Sequence, residues 1–317
     1  MAKTEVGKAM GTFLNITTYG EDEKSAIDMI RREFWQAEQS MSRFLKDSDV
    51  SRICQAAGER AVEVSPLCLS ILKTAVRQAE FMDGIFDPTV GSVSALWNVG
   101  ADNEKVPMAE EIRRAESLVD YRHILFDRNT VFLKKKGMML DLGGMAKEYT
   151  LHRAAEKVRQ MGAGSMLIDA GGDMCLIGHK PDGSAWRMGV QHPRRRETLA
   201  AAISMTEWDT IETSGDYRRF LAREDVFQSH IFQLKKDAMP LISATLIYRR
   251  GKEMLPITGA ACIAGGLERT AKWLTRLPDV EGIFITADRK AYVTEGISSV
   301  TKILTKDLER KALILNR

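Results

Sequence analysis

Apolar residues recur at helical spacing early in the chain. Ala26, Ile30, Phe34, Ala37 and Met41 fall on one face and predict a long helix over residues 21–44. The β-branched and aromatic residues of 11–19 predict a strand before it. Two further helices have readable starts. Ser48 suits an N-cap for a short helix through Ile53. Ser65-Pro66 opens another over 67–83, which Gly84 stops. Residues 110–118 read as helix, and 123–126 with 130–134 as a hairpin.

The second half alternates more quickly. A glycine-bearing segment, 141–147, leads into a helix that runs to Met161. Short apolar runs predict strands over 166–169, 186–191, 200–205 and 242–248. Helices are expected over 254–264 and 267–277, then a hairpin of 282–286 and 290–294. There is no tandem repeat and no low-complexity linker. The pattern predicts an α+β fold of mixed, largely antiparallel sheets with packed helices, in one two-lobed domain spanning 1–317.

Composition narrows the function classes. The 317 residues are 44% hydrophobic and 28% charged with a net charge of +3, too mild for a nucleic-acid partner. The basic runs Lys134-Lys135-Lys136 and Arg194-Arg195-Arg196 read as solvated turns. Cys54, Cys68, Cys175 and Cys262 form no CxxC pair, which argues against zinc and redox dithiols. No run is long and apolar enough for a membrane span. Met1-Ala2-Lys3-Thr4-Glu5 has no apolar signal core, so the expected location is cytoplasmic; a trimmed exported chain would read the same.

Three segments carry candidate chemistry. In Asp141-Leu142-Gly143-Gly144-Met145-Ala146-Lys147, glycines before a helix expose N–H groups to a phosphate and Lys147 offsets its charge. A tight turn with Asp141 satisfying backbone donors explains the segment equally well. Gly84 to Gly91 precedes Ala95-Leu96-Trp97, where Trp97 is either a flat surface for an aromatic ring or, more commonly, a core residue. Thr213-Ser214-Gly215-Asp216-Tyr217 reads on its own as a polar turn.

Taken together and in order, these segments resemble the ApbE-like flavin transferase family. Met10-Gly11-Thr12 resembles its M-G-T, and Ser42-Arg43-Phe44 with Asp47-Ser48-Asp49 its S-x-[FY]-x-x-x-S-[ED]. Gly84 to Gly91 resembles G-x-F-D-[PI]-T-V-G, and Asp141 to Lys147 resembles D-L-G-[GA]-[IM]-A-K. Gly171-Gly172-Asp173, Trp186 to Pro193, Thr213 to Tyr217 and His230-Ile231 continue the series. The resemblance implies an FAD site near Met10, Phe44, Ala95, Leu96, Trp97, Asp141, Lys147 and Ile231. It implies Mg²⁺ held in part by the Gly144 carbonyl and Thr258, and transfer of FMN from FAD to a threonine of an acceptor protein, with AMP leaving.

The last third departs from the pattern. The family's H-I-x-[DN]-P-x-T-G becomes His230-Ile231-Phe232-Gln233-Leu234-Lys235-Lys236-Asp237. Its metal-binding D-A-L-x-T becomes Met254-Leu255-Pro256-Ile257-Thr258, with Met254 where the aspartate belongs. Glu148 replaces a glycine, and beside phosphates it is expected to turn outward or recruit a cation. Glu253, Glu148 and Asp237 are the substitute carboxylates within reach. Two functions stay open: an FMN transferase, and an FAD-binding homologue that has lost transfer and serves flavin binding or delivery.

Overall fold

The computed structural model describes residues 2–19, 23–223, 226–233, 239–249 and 254–317. Among these, nine strands form the main sheet, and their order across it is their order along the chain. They are Lys3–Ala9, Thr12–Thr18, Met166–Ala170, Asp173–Ile177, Thr210–Gly215, Leu241–Tyr248, Val280–Thr286, Lys290–Thr294 and Glu309–Leu313. Neighbours run antiparallel except the last pair, which is parallel. The mixed, largely antiparallel α+β expectation therefore holds. Leu241–Tyr248 is buried at every position, as a strand covered on both faces must be.

The helices are α1 (Lys24–Met41), α2 (Asp49–Gln55), α3 (Pro66–Phe81), α4 (Gly91–Trp97), α5 (Ala109–Glu116), α6 (Ala146–Gln160) and α7 (Gly259–Leu274). The caps legible in the sequence are used. Ser48 accepts from Ser51 N–H and Ser65 from Cys68 N–H, with Pro66 in the first turn of α3. Helix α1 lays Ile30 and Phe34 against Leu151 and Ala155 of α6 and against Ile16 and Ile168 of the sheet. Phe34 is fully buried, so Phe34→Ala removes about 3–5 kcal/mol of stability. A larger core joins α3, α7 and the central strands.

Three expectations are corrected. Thr213 to Gly215 is not a turn but the end of a central strand; its polar groups are paired inside the sheet, Thr213 Oγ1 lying 3.0 Å from Thr245 Oγ1. The helix expected from residue 254 begins at Gly259, because Pro256 sits just ahead and Thr258 adopts the extended N-cap geometry. Its separation from a second helix is real: Gly266, at φ 76°, breaks α7 internally. Helix α1 starts later and stops earlier than its periodicity suggests, and Glu21 lies outside the described residues.

Candidate functional site

Two hairpin turns meet at one end of the sheet. Met10 and Gly11 have φ of 50° and 71°, and Gly171 and Gly172 have 68° and 91°. Both are two-residue turns of the type that suits strand twist. They are neighbours because Leu14 pairs with Ala170 and Gly171 N–H donates to Phe13 O at 3.1 Å. A Cβ on Gly171 would lie 2.5 Å from Thr12 Oγ1, so only glycine fits there. Beyond the strand Thr210–Gly215, two arginines reach back to these turns. Arg218 donates to Gly171 O and lies over Gly172. Arg219 donates to Gly11 O at 3.1 Å and rests against Gly100.

His230 joins this rim. Its N–H donates to Arg219 O, and its Nδ1 lies 2.9 Å from the same carbonyl. A carbonyl only accepts, so Nδ1 carries the proton and Nε2 keeps its lone pair in the neutral ring. Burial of the ring's surroundings pushes its pKa below the ordinary histidine value, and Arg219, Arg218 and Lys147 push the same way.

Asp141 is positioned by the Gly84–Gly91 segment. Pro88 O accepts from Asp141 N–H at 2.8 Å, and Asp87, buried, accepts from Thr89 N–H and from Tyr121 N–H. A Cβ on Gly91 would meet Met139 O at 2.5 Å, so the two segments lie in close backbone contact. The Asp141 carboxylate accepts from Gly143 N–H at 2.9 Å and Ser94 Oγ at 2.6 Å, and pairs with Arg43 at 3.2 Å. Its backbone role and its charge role are thus both present. Arg43 in turn lies 4.2 Å over the exposed Phe44 ring.

Behind the rim is an acid centre. Lys147, the second residue of α6, pairs with buried Asp173, which also accepts from Thr213 N–H at 3.3 Å. One residue on, Glu148 is 3% exposed and accepts from Tyr248 Oη at 2.6 Å. Its carboxyl lies near that of buried Glu212, which accepts from Gly259 N–H of α7 at 2.9 Å. Burial, then the negative charges of Glu148 and Asp173, raise Glu212 well above the ordinary carboxylate range. The nearness of two carboxyls between two helix starts disfavours charge on Glu212. Glu148 is thus turned into the interior rather than outward.

The other candidate flavin contacts are placed as follows. Met10 and Ile231 are half-buried against the core, and Ala95 and Leu96 are half-buried on α4. Trp97 is 8% exposed and packs with Val93 and Ala115, so it chiefly anchors α4 rather than presenting an open stacking face. Gln233 ties the His230 segment to α7 by donating to Ile263 O at 3.0 Å. Glu212, Arg218 and Arg219 were not singled out by the sequence, whereas His230 was, as the start of its motif. Glu212 between apolar Ile211 and a threonine run was the one available signal.

A Cβ on Gly144 would lie 3.6 Å from Ala260 Cβ in the first turn of α7, the helix that Thr258 caps. The donor set around them does not fit Mg²⁺. Thr258 Oγ1 is engaged by Ala261 N–H at 3.1 Å. Met254 is a thioether packed with Leu255 against the core, where Mg²⁺ demands oxygen. Among the described residues, no three His, Cys, Asp or Glu side chains are arranged to hold a metal. Glu253 and Asp237 lie outside the described residues.

Fold and site together define a largely antiparallel α+β protein with a basic, glycine-lined rim over a buried acid centre. The chain belongs to the ApbE family, whose model matches residues 10–284. An FAD:protein FMN transferase of Treponema pallidum is 25% identical over 316 residues, covering 93% of this chain and 87% of that one. One from Vibrio cholerae is 29% identical, covering 71% and 69%. Among solved structures, the ApbE protein of Thermotoga maritima superposes with a TM-score of 0.82 at 26% identity, covering 95% of this chain and 99% of that one. The flavin transferase ApbE of Vibrio cholerae gives 0.80 at 24% identity, with the same coverage. No helix among the described residues is long and apolar enough to cross a membrane.

Proposed function

We propose that this protein moves FMN from FAD to a threonine hydroxyl of an acceptor protein. The observation that carries the reading is the convergence on Arg219 of Met10-Gly11, Gly100 and His230-Ile231. These are distant stretches of chain, two of which the resemblance assigns to one flavin. Relatives named FAD:protein FMN transferase over most of their length support the transferase over a binding-only role.

In the reaction, the acceptor hydroxyl attacks the FMN-side phosphorus of the pyrophosphate. The bond to the bridging oxygen breaks, AMP leaves with that oxygen, and a phosphoester forms. Such transfers depend on positioning and on charge stabilisation around the phosphorus. Asp141, fixed by Ser94 and Arg43, orients flavin or ribityl donors. Lys147, Arg218 and Arg219 face the phosphate charge. His230 Nε2, basic and neutral, accepts the hydroxyl proton. The divalent cation implied by the resemblance lacks a fitting donor set among the described residues, so these steps are derived without it.

The test is incubation of the protein with FAD and a threonine-bearing candidate acceptor, followed by intact mass of the acceptor and assay of AMP. A mass gain of one FMN with equal AMP release is expected. His230→Ala should slow it by about 10²-fold or more. FAD binding with no transfer under any condition would return the reading to flavin delivery.

A further inference from the structure

We infer that, in this protein, Arg218 and Arg219 bind the pyrophosphate of FAD and that flavin binding needs no divalent cation; the inference rests on the flavin reading above.

Three observations converge. The first is the geometry of the two guanidinium groups. Both are exposed, and each is held by a backbone carbonyl at a glycine turn, Gly171 O for Arg218 and Gly11 O for Arg219. Among the described residues neither has a carboxylate partner, whereas Arg43, Arg194 and Arg195 are each paired with an aspartate. A carbonyl orients a guanidinium without cancelling its charge, so both keep donors for an anion. The turns that hold them bring the backbone close, because a Cβ on Gly172 would lie 2.8 Å from Arg218 Nη2.

The second observation concerns the place where the resemblance puts the ion. Thr258 Oγ1 is turned to its helix, Met254 supplies sulfur, and Glu212 is already seated on Gly259 N–H at 2.9 Å. Glu148, the one substitute carboxylate among the described residues, is engaged by Tyr248 Oη at 2.6 Å. The third is proximity. Arg218 and Arg219 are consecutive, and the turns that hold them are joined by Gly171 N–H donating to Phe13 O at 3.1 Å, so both guanidinium groups lie on one rim. Two guanidinium groups match the two charges of a pyrophosphate, and bidentate guanidinium–phosphate contacts supply direction as well as charge.

The experiment is a fluorescence-quenching titration of the full chain with FAD and with riboflavin, in EDTA and in excess Mg²⁺. FAD affinity should be the same in both buffers to within about twofold, since an ion without a ligand set adds no binding energy. Arg218→Ala and Arg219→Ala should each weaken FAD by roughly tenfold and leave riboflavin unchanged, because riboflavin has no pyrophosphate. FAD binding that appears only with Mg²⁺ overturns the inference, as does unaltered FAD affinity in both arginine variants. Absence of FAD binding in either buffer overturns the flavin reading itself. If a variant is unfolded by circular dichroism, the wild-type salt dependence decides. FAD affinity should fall more steeply with KCl than riboflavin affinity, and equal slopes reject the arginine contacts.

Discussion

Asp141 and Glu212 do the same local job in different surroundings. Each accepts from the N–H of a glycine where the chain turns toward a helix, Gly143 and Gly259 respectively, at 2.9 Å. Asp141 is partly exposed and has Arg43 at 3.2 Å, so its charge is balanced by another side chain. Glu212 is buried with Glu148 against it and Asp173 close by, so its charged form is disfavoured. A carboxylate with a cation beside it is available to a ligand. A buried carboxyl whose charge is disfavoured and which holds a helix N–H is a structural joint. The difference separates the part of the site that faces substrate from the part that holds two helices together.

Removing a cation from the inner region tests the contrast most severely. Lys147→Ala leaves buried Asp173 without its partner and should cost about 2–3 kcal/mol in urea unfolding, reduced from the fully buried case because Lys147 is partly exposed. A loss under about 0.5 kcal/mol would mean that water already balances Asp173 and that the inner region is not closed.

Glu212→Gln probes the proton directly. Because burial raises Glu212 in the folded state, the unfolded chain releases that proton first as pH rises from the ordinary glutamate value of 4.5. The folded state then binds more protons than the unfolded state, and stability falls with rising pH through that window. The glutamine variant should flatten this decline and gain on the order of 1 kcal/mol at pH 8. Parallel stability–pH curves for the two proteins would show that the pair is not protonated. The smallest effect belongs to the outer region. Asp141→Asn keeps the Gly143 contact, reverses the Ser94 bond so that the amide donates, and loses the pairing with Arg43, so thermal unfolding should register about 0.5–1 kcal/mol. A larger loss would move Asp141 into the structural class.

What the sequence disclosed follows the same division. Ser48, Ser65 and Pro66 announce α2 and α3 because caps act locally and need no tertiary partner. The Asp141 to Lys147 segment was readable because its glycines and its lysine serve chemistry within a few residues. Glu212 was not, because its role depends on Glu148, Tyr248 and Gly259, which only the sheet brings together. The strand Thr210–Gly215 was masked by polar residues whose partners lie on neighbouring strands. The strand Lys3–Ala9 went unread because an edge strand with exposed lysines carries little apolar alternation. The arginines of the rim carry no local signal in the sequence, and only the two glycine turns show what holds them.

The order of strands in the main sheet carries a consequence for how the chain assembles. The hairpin of Lys3–Ala9 and Thr12–Thr18 forms from adjacent residues, but its other neighbour, Met166–Ala170, arrives nearly half the chain later. Helices α1 to α6 must therefore be made and gathered before that seam can close. Closing so long a loop carries an entropic cost that local contacts do not, and it slows folding. On the ribosome, the first hairpin waits with an unpaired edge while α1 and α6 find each other. The tightly interlocked contact of Gly171 with Thr12 and Phe13 is then a late event, and the rim that holds Arg218 and Arg219 is completed only with it.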